Sequence, residues 1–108
     1  MSSSLLQLNF KFSVTPVEYE QAVAPLAGEV AAVRGCRWKI WIINEEEHEA
    51  GGIYLFDDNA SMKAYLEGPI VSQVTANPAL SEFSVKQFGV MDEETAITRG
   101  PVGEPTQA

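Results

Sequence analysis

The chain contains a single cysteine, Cys36, and a single histidine, His48. One thiol excludes an intrachain disulfide, so nothing here is built for an oxidising compartment. One His and one Cys cannot supply the three or four converging N or S ligands of a zinc centre. The acidic turn Glu45-Glu46-Glu47-His48-Glu49 reads as a solvated hairpin, and no metal is expected. Basic residues are also scarce, with 7 against 15 acidic and a net charge of −8. That balance argues against nucleic acid, whose phosphates need Lys and Arg, and against an anionic membrane surface. No apolar run approaches the roughly 20 residues of a membrane span. The opening Met1-Ser2-Ser3-Ser4 lacks the basic and apolar regions of a secretory leader. The expected location is the cytoplasm. No G-x-G-x-x-G joins a strand to a helix, so no nucleotide cofactor is indicated, and none of any kind is expected.

What remains is a chain of 108 residues, 45% of them apolar. That is one domain with material for one modest core. Leu5 to Phe12 alternates, with Leu6, Leu8, Phe10 and Phe12 on one face, which predicts a half-buried strand. Thr15-Pro16-Val17-Glu18 opens a helix as a capping box with Pro at its first position. Tyr19, Val23, Leu26, Val30 and Val33 continue it as one apolar stripe, Pro25 should kink it, and Gly35 should stop it. Cys36 to Ile43 and Gly51 to Phe56 read as a hairpin of two strands. A second helix follows Asp57-Asp58-Asn59, is interrupted at Gly68-Pro69, and ends near Asn77-Pro78. Glu82 to Val90 reads as a fourth strand. The order is βαββαβ, the split, ferredoxin-like α+β unit: an antiparallel four-stranded sheet with both helices on one face. The domain is expected to span residues 1–92, with 93–108 a loose tail.

Two helices cover one face of a sheet, yet apolar residues emerge on both. Strict alternation along the second strand puts Cys36, Trp38, Ile40 and Ile42 on one side and Arg37, Lys39, Trp41 and Ile43 on the other. The uncovered face is expected to show Trp41, Ile43, alternate residues of the third strand, and Phe88. At about 25 cal/mol per Å², covering ~600 Å² per subunit contributes roughly 15 kcal/mol before association costs. A homodimer through the sheet face is the expected arrangement. The rival is a monomer whose tail folds back over the sheet.

Three stretches resemble a known family. Leu5-Leu6-Gln7-Leu8-Asn9-Phe10 resembles its first strand, and Arg37-Trp38-Lys39-Ile40-Trp41 its second. The strongest likeness is His48-Glu49-Ala50-Gly51-Gly52-Ile53-Tyr54-Leu55-Phe56, with Ala64-Tyr65-Leu66-Glu67 after it. The family is the YdhR-like group of monooxygenases, within the dimeric α+β-barrel superfamily. The resemblance implies a ferredoxin-like protomer, two sheets facing each other in a dimeric barrel, and a role in oxygenating aromatic compounds. The superfamily also includes isomerases, haem-degrading proteins and non-catalytic binders, so function must be argued from the site.

No metal, nucleotide or nucleophile motif is in view, which leaves chemistry without a cofactor. The resemblance implies one such chemistry: some members of the superfamily oxygenate electron-rich phenols or quinols with dioxygen alone. A phenol or quinol, once deprotonated, supplies the electrons to dioxygen itself. The protein need only hold the ring, exclude water and favour the anion. Trp, Tyr and Asn side chains can orient such a substrate by hydrogen bonds. The candidates are Trp38, Trp41, Tyr54, Tyr65 and Tyr19 for substrate binding, with Asn9 and His48 as catalytic groups. His48 has the only side chain whose ordinary pKa suits a general base near neutrality. Trp38 and Trp41 lie three apart, so one should face the helices and the other the partner. Arg37 and Lys39 could hold a phenolate or carboxylate but read as surface residues, and Cys36 reads as a small core residue. The functional reading is a cofactor-independent monooxygenase of a small aromatic substrate. Its alternative is a non-catalytic, aromatic-binding dimer. Haem degradation is a third reading, disfavoured because an axial histidine would be expected on a helix and His48 lies in a turn.

Overall fold

A computed structural model describes residues 3–102. Four strands, β1 (Ser4–Phe12), β2 (Cys36–Asn44), β3 (Glu49–Phe56) and β4 (Leu80–Gly89), form one antiparallel sheet in the order β2-β3-β1-β4. The helices are α1 (Pro16–Val23), α2 (Leu26–Ala31), α3 (Asn59–Leu66), α4 (Pro69–Ala76) and α5 (Asp92–Ile97). The α+β, ferredoxin-like arrangement read from the sequence is the arrangement found.

Local chemistry sets the boundaries. Thr15 Oγ1 accepts from the Glu18 amide at 3.1 Å, and Glu18 returns an acceptor to the Thr15 amide at 3.0 Å. Pro25 has no amide hydrogen to extend the ladder, so the first helical stretch divides into α1 and α2 there. Gly35 turns the chain into β2 at φ +85°, a conformation that favours glycine. Gly68-Pro69 divides α3 from α4 in the same way, with Pro69 at the first helical position.

β1 alternates buried and half-buried along its whole length. Leu6, Leu8, Phe10 and Phe12 pack beneath the helices with Val30, Met62, Tyr65 and Val71, and with Tyr54 and Phe56 from β3. The core therefore sits between the sheet and α1 to α4.

β2 departs from strict alternation. Cys36 pairs with Phe56, but Trp38 pairs with Leu55, so Arg37 is an extra residue in a bulge. One inserted residue reverses the facing of everything before it relative to everything after it. Cys36, Lys39, Trp41 and Ile43 consequently share the helix side, and Trp38, Ile40 and Ile42 face away. This corrects the expected grouping. Trp41 and Ile43 are not on the uncovered face, and both remain partly exposed on the edge strand.

The C-terminal part also differs from a loose tail. Residues Asp92–Ile97 are helical, and the chain then reaches from the β4 side to β2. There the Trp38 indole N–H donates to the Pro101 carbonyl at 2.7 Å, and Arg37 donates to the Val102 carbonyl at 3.2 Å. The acidic first turn, Asp92-Glu93-Glu94, suits the positive end of α5. Residues 103–108 of the expected tail lie outside the described residues. This strap reaches one end of the open sheet face. Ile40, 51% exposed on β2, and Phe88, 49% exposed on β4, remain uncovered. Among the described residues, no helix is long and apolar enough to cross a membrane.

Candidate functional site

A cleft of about 190 Å³ opens between α2 and β2, lined by Ala27, Val30, Ala31, Cys36, Lys39 and Trp41, with Arg37 and Trp38 at its rim. It exists because α2 presents two alanines to the edge strand, where larger side chains would fill the space. The bulge at Arg37 brings Cys36, Lys39 and Trp41 to the same side.

Lys39 is the unexpected member. It pairs in register with Tyr54, and its side chain crosses Gly52, the partner of Trp41. A Cβ at Gly52 would collide with Lys39 Cε, so that glycine leaves the passage open. Lys39 Nζ ends 3.3 Å from the centre of the Trp41 ring and 4.6 Å from that of Tyr54, a cation–π arrangement. Burial pushes its amine down to about 8, and the adjacent Cys36 opposes that only in part. Cys36 is half-buried, and burial is the main cause of its raised thiol pKa. The sequence reading of Lys39 as a surface residue is corrected. The signal was available: a lysine flanked by apolar residues on a strand whose hairpin partner carries two glycines.

The other candidates scatter. Trp41 is 38% exposed and forms a wall of the cleft. Tyr19 and Val23 line a smaller hollow, about 90 Å³, that also touches Trp41. Tyr19 is buried and stacked on Phe12 at 4.9 Å, and burial pushes its hydroxyl up to about 12. Tyr54 is 1% exposed beneath Lys39, and Tyr65 donates to its hydroxyl at 2.9 Å. Burial raises both phenols, so they remain neutral hydrogen-bonding groups. Trp38 is on the opposite face, held by the strap. Asn9 is on that face too, donating to Glu49 Oε2 at 3.0 Å. His48 sits in the β2–β3 turn at φ +53°, its ring 5.0 Å from that of Phe12. Neither Asn9 nor His48 lines the cleft. Among the described residues, no three His, Cys, Asp or Glu side chains converge as metal ligands.

Residues 5–101 match the family model described as "Putative mono-oxygenase ydhR". The chain belongs to the ydhR family. Among curated proteins, none matches its sequence. Solved structures share the fold of this ydhR-family chain. SnoaB, a cofactor-independent oxygenase from Streptomyces nogalater, is 19% identical with a TM-score of 0.69 over 85% of this chain and 96% of its own. A protein of unknown function from Nitrosomonas europaea is 21% identical, with a TM-score of 0.64 over 84% and 91%. The heme-degrader MhuD from Mycobacterium tuberculosis, whose active site holds two hemes in its structure, is 18% identical with a TM-score of 0.63 over 81% and 95%. At these identities the likeness concerns the fold, and the chemistry of this ydhR-family member rests on its own residues.

Proposed function

We propose that the protein is a cofactor-independent monooxygenase of a small phenol or quinol, acting in the cytoplasm as a homodimer joined through the open sheet face. The observation that carries this reading is the cleft itself: the Trp41 indole forms part of its wall, with the sheltered Lys39 amine over that ring. A phenolate that loses an electron to dioxygen leaves a radical pair, whose recombination forms a carbon–oxygen bond. For a simple phenol the peroxide then loses water to give a quinone. One oxygen atom enters the ring, the other leaves as water, and the substrate supplies all the electrons. The protein's tasks are to seat the ring, favour the anion and limit water. Membership of the ydhR family and a fold shared with a cofactor-independent oxygenase support this reading.

Oxygen uptake with a panel of hydroquinones and phenols, compared with anaerobic controls, tests it. Uptake faster than buffer for at least one member, with loss of the phenol, is expected. Uptake at the buffer rate across the panel counts against oxygenation. One observation favours a non-catalytic binder: His48 and Asn9 lie outside the cleft. Quenching of Trp41 fluorescence by phenols without product identifies that case.

A further inference from the structure

We infer that Lys39 is the anion-binding group of the cleft, and that its ligand is a single-ring phenol which enters neutral and is held as the phenolate. This rests on the reading of the cleft as an aromatic-binding site, but not on oxygenation taking place there.

The first ground is a missing partner. The other ion pairs follow the usual pattern: Lys11 reaches Glu47 at 3.9 Å and Arg37 reaches Asp57 at 3.6 Å. Lys39 has no carboxylate within 4 Å among the described residues, although the chain carries 15 acidic residues. A sheltered ammonium is costly unless something compensates its lost water. Two aromatic faces do so in part, and its N–H donors remain available to an acceptor in the cleft.

The second ground is size. A cavity of about 150 Å³ is enough to bind benzene. The cleft of about 190 Å³ therefore has room for one ring with a substituent.

The third ground is the field. A net charge of −8 repels a permanent anion on approach. A phenol arrives uncharged and meets no such barrier. At the site its O–H bond breaks. The proton passes to solvent water at the mouth of the cleft, and the Lys39 amine, charged below about pH 8, pairs with the phenolate left behind. The groups facing Lys39 from β2 and β3 are Cys36 and Tyr54, while α2 contributes uncharged Ala27, Val30 and Ala31. Arg37, which also lines the cleft, is paired with Asp57 at 3.6 Å, so the two together add little net charge there.

The test uses 4-nitrophenol, whose phenolate absorbs visible light, titrated anaerobically with the whole protein. The wild type is expected to hold the probe as phenolate, lowering its apparent pKa by at least about one unit, a tenfold preference. Lys39→Met is expected to abolish the shift and weaken phenolate binding roughly 10- to 100-fold, with unchanged circular dichroism. Lys39→Arg should keep the shift, which separates charge from packing. 4-Nitrobenzoate should bind more weakly than the phenol. The inference is overturned by an equal shift in Lys39→Met, by 4-nitrobenzoate binding as tightly as the phenol, or by no binding up to millimolar probe. A phenolate shift without oxygen uptake upholds Lys39 and removes oxygenation. Uptake without the shift does the reverse.

Discussion

The Tyr65 hydroxyl donates to the Tyr54 hydroxyl at 2.9 Å, tying α3 to β3 within the core. Their rings tilt at 50° with centroids 5.0 Å apart. Both side chains are buried, so removing one hydroxyl leaves the other short of a partner. Tyr65→Phe is predicted to cost about 1–2 kcal/mol in urea unfolding. Tyr54→Phe combined with Tyr65→Phe should cost less than the sum of the two single changes, because no stranded hydroxyl remains. Simple additivity would show that the pair is not coupled.

Lys39 makes stability depend on pH. Its amine sits near 8 in the folded chain against 10.5 ordinarily. Between those values the unfolded chain binds a proton that the folded chain does not, so stability from this group rises with pH across that window. Its destabilising effect is complete below about pH 8, at most ~3 kcal/mol, and fades toward pH 10.5. Lys39→Met should therefore stabilise the fold by about 1–2 kcal/mol at pH 7, after loss of the Trp41 contact, and by less at high pH. Urea melts at the two pH values check this. A destabilised variant at pH 7 would show that the ammonium is better accommodated than its burial implies.

The two adjacent glycines of β3 should respond differently to a methyl group. At Gly51 a Cβ meets the Leu8 carbonyl oxygen and, at 2.8 Å, the Asn9 Cα, both backbone atoms of β1. Gly51→Ala is predicted to cost about 3 kcal/mol by forcing the central strands apart. At Gly52 the obstacles are the Lys39 chain end, which can swing away, and the Tyr54 ring at 3.2 Å. Gly52→Ala should stay folded but lose nitrophenol affinity much as Lys39→Met does. Thermal melts and the same titration separate the two effects.

The open face predicts association. Ile40 and Phe88 lie on its two edge strands, about half exposed, outside the reach of the strap. The wild type should sediment as a dimer at micromolar concentration. Ile40→Glu with Phe88→Glu should halve that mass without changing the circular dichroism. A wild-type monomer would mean that the strap shelters the face sufficiently alone.

Much of the architecture was legible in residues with strong local rules. Thr15, Pro16 and Glu18 fixed the start of α1, Pro25 divided it from α2, and the alternation from Leu6 to Phe12 identified the central strand. The site was less legible, for one geometric reason. The bulge at Arg37 carries no glycine or proline to mark it, and a single extra residue moves Cys36 to the side of Lys39 and Trp41. The sheltering of Lys39 depends on Gly52 and on the alanines of α2, residues remote in sequence that matter for the bulk they lack. Helix α5 was missed because six residues with none buried give almost no periodic signal.

The chain has two tryptophans, and their indole N–H groups report on opposite faces of β2. Titrating a nitrogen-labelled sample with a phenol while following both resonances locates the ring directly. The Trp41 signal should move and saturate, while that of Trp38, at the margin of the cleft and bonded to Pro101, should move less. Movement of Trp38 alone, or of neither, would contradict a binding cleft between α2 and β2.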